Sequence, residues 1–113
     1  MTPNKFIGLL FQSRDTMHLT HLQTTSFAEH KALNAYYDGI LDLTDSFTET
    51  YFGRFKRIDI IIPESKMLSA VEHLKEMQQL IDGERNNYSS ELQNIMDEMV
   101  GLVNKTLYLL TLV

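Results

Sequence analysis

The stretch Gly53-Arg-Phe-Lys-Arg-Ile-Asp-Ile-Ile-Ile-Pro63 limits the fold of this chain more than any other part of it. Its Ile60-Ile61-Ile62 run favours extended backbone. Fully drawn out, the stretch reaches about 36 Å. The segment before it carries apolar residues at helical spacing over about 25 residues, which makes a helix about 37 Å long. The connection is therefore long enough to return along a whole helix, and a tight hairpin would not need it. The expected fold is all-α: a four-helix bundle with one long crossover between the second and third helices. An up-down-up-down bundle with an ordinary loop is the alternative.

Only two prolines and five glycines interrupt the chain. Helical periodicity covers residues 4–22, with Phe6, Leu10, Met17 and His21 on one face. It covers 25–52, with Phe27, His30, Leu33, Tyr37, Ile40, Leu41, Thr44, Phe47, Thr48 and Tyr51 on its stripe. Thr24, Thr25 or Ser26 can cap this second helix, and Gly53 suits its stop. The third segment spans 64–82, with Pro63 at its first turn and Met67, Val71, Leu74 and Ile81 on one side. The fourth spans 89–111, with Leu92, Ile95, Met99, Leu102, Thr106 and Leu109 on its stripe. The apolar Leu107–Val113 reads as a buried helix end. No repeat relates the four segments.

The 113 residues read as one domain, 1–113, whose small core leaves room for gain by self-association. A net charge of −5 argues against a nucleic-acid or anionic-membrane surface. The absence of cysteine excludes disulfides and thiolate metal sites, and agrees with the cytoplasmic location expected here. Phe6–Phe11 is too short an apolar run for a signal peptide or a membrane span.

Four residues carry the chemistry: His21, His30, Asp45 and Glu49. With a turn near Gln23–Ser26, an antiparallel hairpin sets His21 and His30 at about the same level, so their imidazoles can meet inside one subunit. His18 lies nearly one turn further along. Asp45 and Glu49 are an i,i+4 pair. His30 and Asp45 stand about 22 Å apart along one helix, so they can share an ion only across two antiparallel copies of it. Two imidazoles and two carboxylates suit iron, zinc or manganese. Tyr36, Tyr37, Tyr51 and the methionines fit a core or an interface. His73, beside Glu72, reads as a surface residue.

The stretch His21-Leu-Gln-Thr-Thr-Ser-Phe-Ala-Glu-His30, followed by Asp45-Ser-Phe-Thr-Glu49, resembles the Dps proteins, or miniferritins, of the ferritin-like superfamily. The resemblance covers the first two helices. It implies a ferritin-like bundle, assembled as a homodimer or a larger shell, and iron held between two-fold-related subunits. His21 and His30 would come from one chain and Asp45 and Glu49 from its mate, with ferroxidase-type oxidation of the iron. Asn94-Ile-Met-Asp-Glu98 through Lys105-Thr-Leu-Tyr108 is similar to the last helix of small ferritin-like proteins of unknown role from phages and marine metagenomes.

The chain also departs from the Dps pattern. It has no tryptophan after its first histidine, and Asn34 stands where a further Asp is common. The family's twelve-residue spacing before the second histidine fits His18, whereas the sequence context fits His21. The basic tail that lets some members bind DNA is absent, and helices three and four carry no Glu-x-x-His. The same residues support a rival from another class, a non-catalytic helical assembly or adaptor protein that keeps the fold without metal. Clustered, inward-facing ligands would favour the metal site. Residues facing water, or bonded to each other, would favour the rival.

Overall fold

The computed structural model describes residues 1–65 and 69–113. Four helices follow in order: α1 (Pro3–Gln23), α2 (Phe27–Arg54), α3 (Ala70–Glu84) and, after a 3-10 turn at Arg85–Asn87, α4 (Ser90–Leu109). Each of the first three begins on a hydroxyl that accepts a backbone N–H of the first turn: Thr2 from Lys5, Ser26 from Glu29 and Ser69 from Glu72. Among the described residues, none forms a strand, and no helix is long and apolar enough to cross a membrane.

Side-chain pairs fix the helix directions. Ser13 meets Tyr36 and His21 meets His30, so α1 and α2 are antiparallel. Ser13 also meets His73, and the Met1 amino group lies 3.8 Å from Glu84, so α1 and α3 are antiparallel too. It follows that α2 and α3 run parallel. They sit on one diagonal of the bundle, since the helices in contact are α1 with α2, α2 with α4, α4 with α3, and α3 with α1. This arrangement excludes the up-down-up-down alternative. The shared core contains Phe6, Leu10, Leu33, Ile40, Leu74, Ile81, Leu92 and Met99, all without exposed surface. Phe6, Phe47 and Tyr88 close one end with ring centroids 5.2–5.5 Å apart.

The crossover lies on α1 as an extended strap. Asn4, Gly8, Gln12 and Thr16 recur every four residues and so form one ridge along the helix. Asn4 Nδ2 donates to the Asp59 carbonyl (2.7 Å), and Ile61 N–H donates to the Asn4 carbonyl (3.2 Å). Gln12 Nε2 donates to the Glu64 carbonyl, and Thr16 Oγ1 to Ser65 Oγ (3.1 Å). At Gly8 the strap comes so close that a Cβ there would fall on the Ile61 carbonyl oxygen. Only glycine leaves that space.

Several expectations need correction. Helix three begins at Ala70 instead of 64, because Glu64 and Ser65 stay bound to α1 and Ser69 supplies the cap. Met67, expected on its stripe, lies outside the described residues, and Val71 is exposed. Gly53 does not stop α2. The helix runs on because Phe55 N–H still reaches the Tyr51 carbonyl (2.9 Å), with the Tyr51 and Phe55 rings in contact. Phe27 is 74% exposed, since it shares the outward side of α2 with Lys31, whose ammonium lies over its ring. The chain end is only partly buried. Leu107, Leu109 and Leu110 pack partially, whereas Tyr108, Leu112 and Val113 face outward.

Candidate histidine site

The α1–α2 turn is only Thr24–Ser26 long. Thr24 N–H bonds back to the Thr20 carbonyl and Ser26 N–H to Thr24 Oγ1, which tightens the reversal. His21 and His30 are thereby held level, as expected. Their rings stack with centroids 3.7 Å apart and planes 17° from parallel. His21 Nδ1 lies 2.6 Å from the His30 carbonyl, and His30 Nδ1 lies 2.8 Å from the His21 carbonyl. A carbonyl can only accept, so both imidazoles carry a proton on Nδ1, and Nε2 takes no part in the pairing. The His21 carbonyl belongs to the last turn of α1, where helical N–H partners run out. His30 therefore caps α1 from the neighbouring helix.

His18 does not join this pair. It stacks on Tyr37 at 4.2 Å, and its ring centroid is 6.0 Å from that of His21. Arg14 lies 5.6 Å from the same Tyr37 ring. The residue paired with His30 is thus His21.

Asp45 and Glu49 are exposed on α2, in line with Asp38 and Asp42 at alternating spacings of four and three residues. They share this outer stripe with no basic partner within 4 Å among the described residues. Within one subunit they are remote from the imidazoles, as the helix length requires. Among the described residues no group of three or more His, Asp or Glu gathers where it could hold a metal ion. The stacked pair also fits poorly as a joint chelate. Nε2 lone pairs lie in their ring planes, so an ion between two nearly parallel rings would sit well out of both planes. A zinc–nitrogen bond of about 2.0–2.1 Å in the plane of each ring is then out of reach for both rings at once.

A second polar cluster escaped the sequence reading. His73, expected at the surface, is 6% exposed, and its Nε2 lies 2.7 Å from Ser13 Oγ. Ser13 Oγ is also 2.7 Å from the Tyr36 hydroxyl, and neither Ser13 nor Tyr36 has exposed surface. The signal was present in the spacing, because Ala70, His73, Leu74, Met77 and Ile81 all fall on the buried face of α3. The order of donors follows from satisfaction. Among the described residues Tyr36 O–H has no acceptor besides Ser13, so it donates to Ser13, and Ser13 O–H then donates to His73 Nε2. Burial pushes the His73 pKa down against the opposing pull of Glu76, and pushes the Tyr36 pKa up. Both groups are therefore neutral near pH 7. Beside them a cavity of about 280 Å³ between α1, the strap and α3 is lined in part by Gln12, Glu64, His73 and Glu76. Ser13, sealed from it, acts as a polar rivet between three helices.

The chain is similar to an uncharacterized 14.6 kDa protein of the mobD-ri intergenic region of Enterobacteria phage T4. The two are 27% identical over 113 residues, covering 96% of this chain and 88% of the phage protein. This agrees with the resemblance to small phage proteins of unknown role. No solved structure matches. Residues 21–110, which span the histidine pair, the acidic stripe and all but the first helix, match the family of unknown function DUF5856, and the chain belongs to that family.

Proposed function

We propose that this chain is a non-catalytic helical assembly protein with a ferritin-like bundle, working as a subunit that associates with further copies of itself. The connectivity supports the ferritin-like reading, since one long crossover between helices two and three is the mark of those folds. The centre of the bundle differs from the di-iron members, which place carboxylates and histidines there. Here a neutral Ser13–Tyr36–His73 chain fills it. The observation that carries the proposal is the reciprocal bonding of His21 and His30, which gives both imidazoles a structural task within the subunit. On this reading His30→Ala lowers stability by about 1–2 kcal/mol whether or not a chelator is present. Urea unfolding with and without EDTA reads this out, and light scattering gives the assembly. A monomer at micromolar concentration, or a loss of stability that EDTA abolishes, would count against it.

A second reading places iron, zinc or manganese between two copies. His21 and His30 of one chain would face Asp45 and Glu49 of the other. Two facts favour it: among the described residues neither Nε2 has a hydrogen-bond partner, and the acidic pair has no basic partner. It requires at least one ring to leave the stack. Mixing His30→Ala with Asp45→Ala subunits tests it, because a mixed dimer places both lesions in one site and leaves the other intact. Restored Zn(II) or Fe(II) binding in verified mixed dimers would support the shared site. Binding by either single mutant at the wild-type level would reject these ligands.

A further inference from the structure

From Asp59 to Pro63 the strap binds α1 through one edge. The groups it turns toward the helix are the Asp59 carbonyl, both the N–H and the carbonyl of Ile61, the Pro63 carbonyl and, where the alternation ends, the Glu64 carbonyl. Asp59, Ile61 and Pro63 are alternate residues, as in a β-strand, whose peptide groups point to opposite edges in turn. The N–H and carbonyl groups of Ile60 and Ile62 therefore face away from α1, and among the described residues they have no backbone partner. The side chains there are open as well, with Ile60 36%, Ile61 51% and Ile62 55% exposed. The apolar surface continues into a groove of about 210 Å³ lined by Met1, Lys5, Leu9, Ile61 and Pro63. A free strand edge with apolar flanks is a template for another strand.

We propose that the partner is the strap of a second copy of this chain, added antiparallel across a two-fold axis at Ile60. The register follows from which groups are free. The outward residues must form the hydrogen-bonded pairs, so Ile60 opposes Ile60 of the second copy, and Ile58 opposes Ile62. The Glu64 carbonyl is taken by Gln12, so the ladder closes there, and the same register sets the Lys56 side chain opposite that of Glu64 at both ends; neither residue has an ion-pair partner within the subunit among the described residues. Charge complementarity thus arises from a register chosen on other grounds. The result is a two-stranded ladder between two α1 helices. This inference rests on the assembly reading and names its contact.

Two experiments test it. Ile60→Pro removes an N–H that has no partner within the subunit among the described residues, so folding is retained. The dimer dissociation constant, measured by light scattering or sedimentation, should rise at least tenfold. The second test uses the absence of native cysteine. Asp59 opposes Ile61 of the second copy in a close, non-hydrogen-bonded pair. A mixture of Asp59→Cys and Ile61→Cys proteins should therefore form an interchain disulfide under mild oxidation. Either protein alone sets its sulfur-bearing residues about 8 Å apart, too far to bridge. Self-association unchanged by Ile60→Pro, with no mixed disulfide, overturns the strap contact and leaves the assembly reading standing. A monomer at all concentrations overturns both.

Discussion

Ser13 is a small residue with a large share of the bundle's polar accounting, since one hydroxyl serves both Tyr36 and His73. Ser13→Ala leaves a buried phenol and a buried imidazole nitrogen unpaired, and should cost about 1–3 kcal/mol in urea unfolding. A loss under about 0.5 kcal/mol, the range of a neutral surface change, would refute the rivet. His73 adds a pH dependence. Its folded pKa lies below the ordinary value because burial disfavours the charge. Unfolded, it titrates near about 6.5, so below that pH the unfolded chain takes up a proton that the folded chain resists. Stability should fall from about pH 6.5 downward until the folded pKa is passed, and His73→Gln should flatten this part of the profile. Urea midpoints measured across the range decide it, and an unchanged slope would remove His73 from the account. The meeting of His21 with His30 was legible from the turn position alone. The rivet was not, because it joins residues of three helices, and a lone histidine on a helix does not announce its partners.

At the scale of the elements, periodicity located all four helices, and the length of the crossover foretold that α2 and α3 run parallel. Boundaries were less legible. The start of α3 depends on Gln12 and Thr16, which lie about fifty residues away in sequence and hold Glu64 and Ser65 out of the helix. Glycine shows the same division between local and distant causes. Gly101 sits in α4 with none of the described residues near its missing Cβ, so Gly101→Ala should raise stability by about 0.5–1 kcal/mol through helix propensity alone. Gly8→Ala gains the same propensity but drives a methyl into the Ile61 carbonyl. It should lift the strap and speed tryptic cleavage after Lys56 and Arg57. Equal effects of the two substitutions, measured by thermal unfolding and digestion, would show that the strap does not need the gap at Gly8.

For the whole molecule, the two ways of pairing subunits need different axes. An ion shared by His30 and Asp45 requires a two-fold near Tyr37 and Asp38 on α2. The strap axis passes Ile60, which stands beside Asn4–Gly8 of α1 and hence near Thr44 of α2. The axes differ by about 10 Å along the helix, so one dimer cannot satisfy both. If strap pairing is the sole contact, mixed His30→Ala and Asp45→Ala subunits should show no rescue. The strap also imposes an order in time. Asn4, Gly8, Gln12 and Thr16 come into line only once α1 has its helical pitch, so the crossover has nothing to lie on before then. The crossover in turn delivers α3 at the level where His73 meets Ser13. Folding should therefore proceed from the local α1–α2 hairpin, through strap docking, to closure by α3 and α4. Substitutions at Gln12 should then slow folding, whereas His73→Gln should mainly speed unfolding.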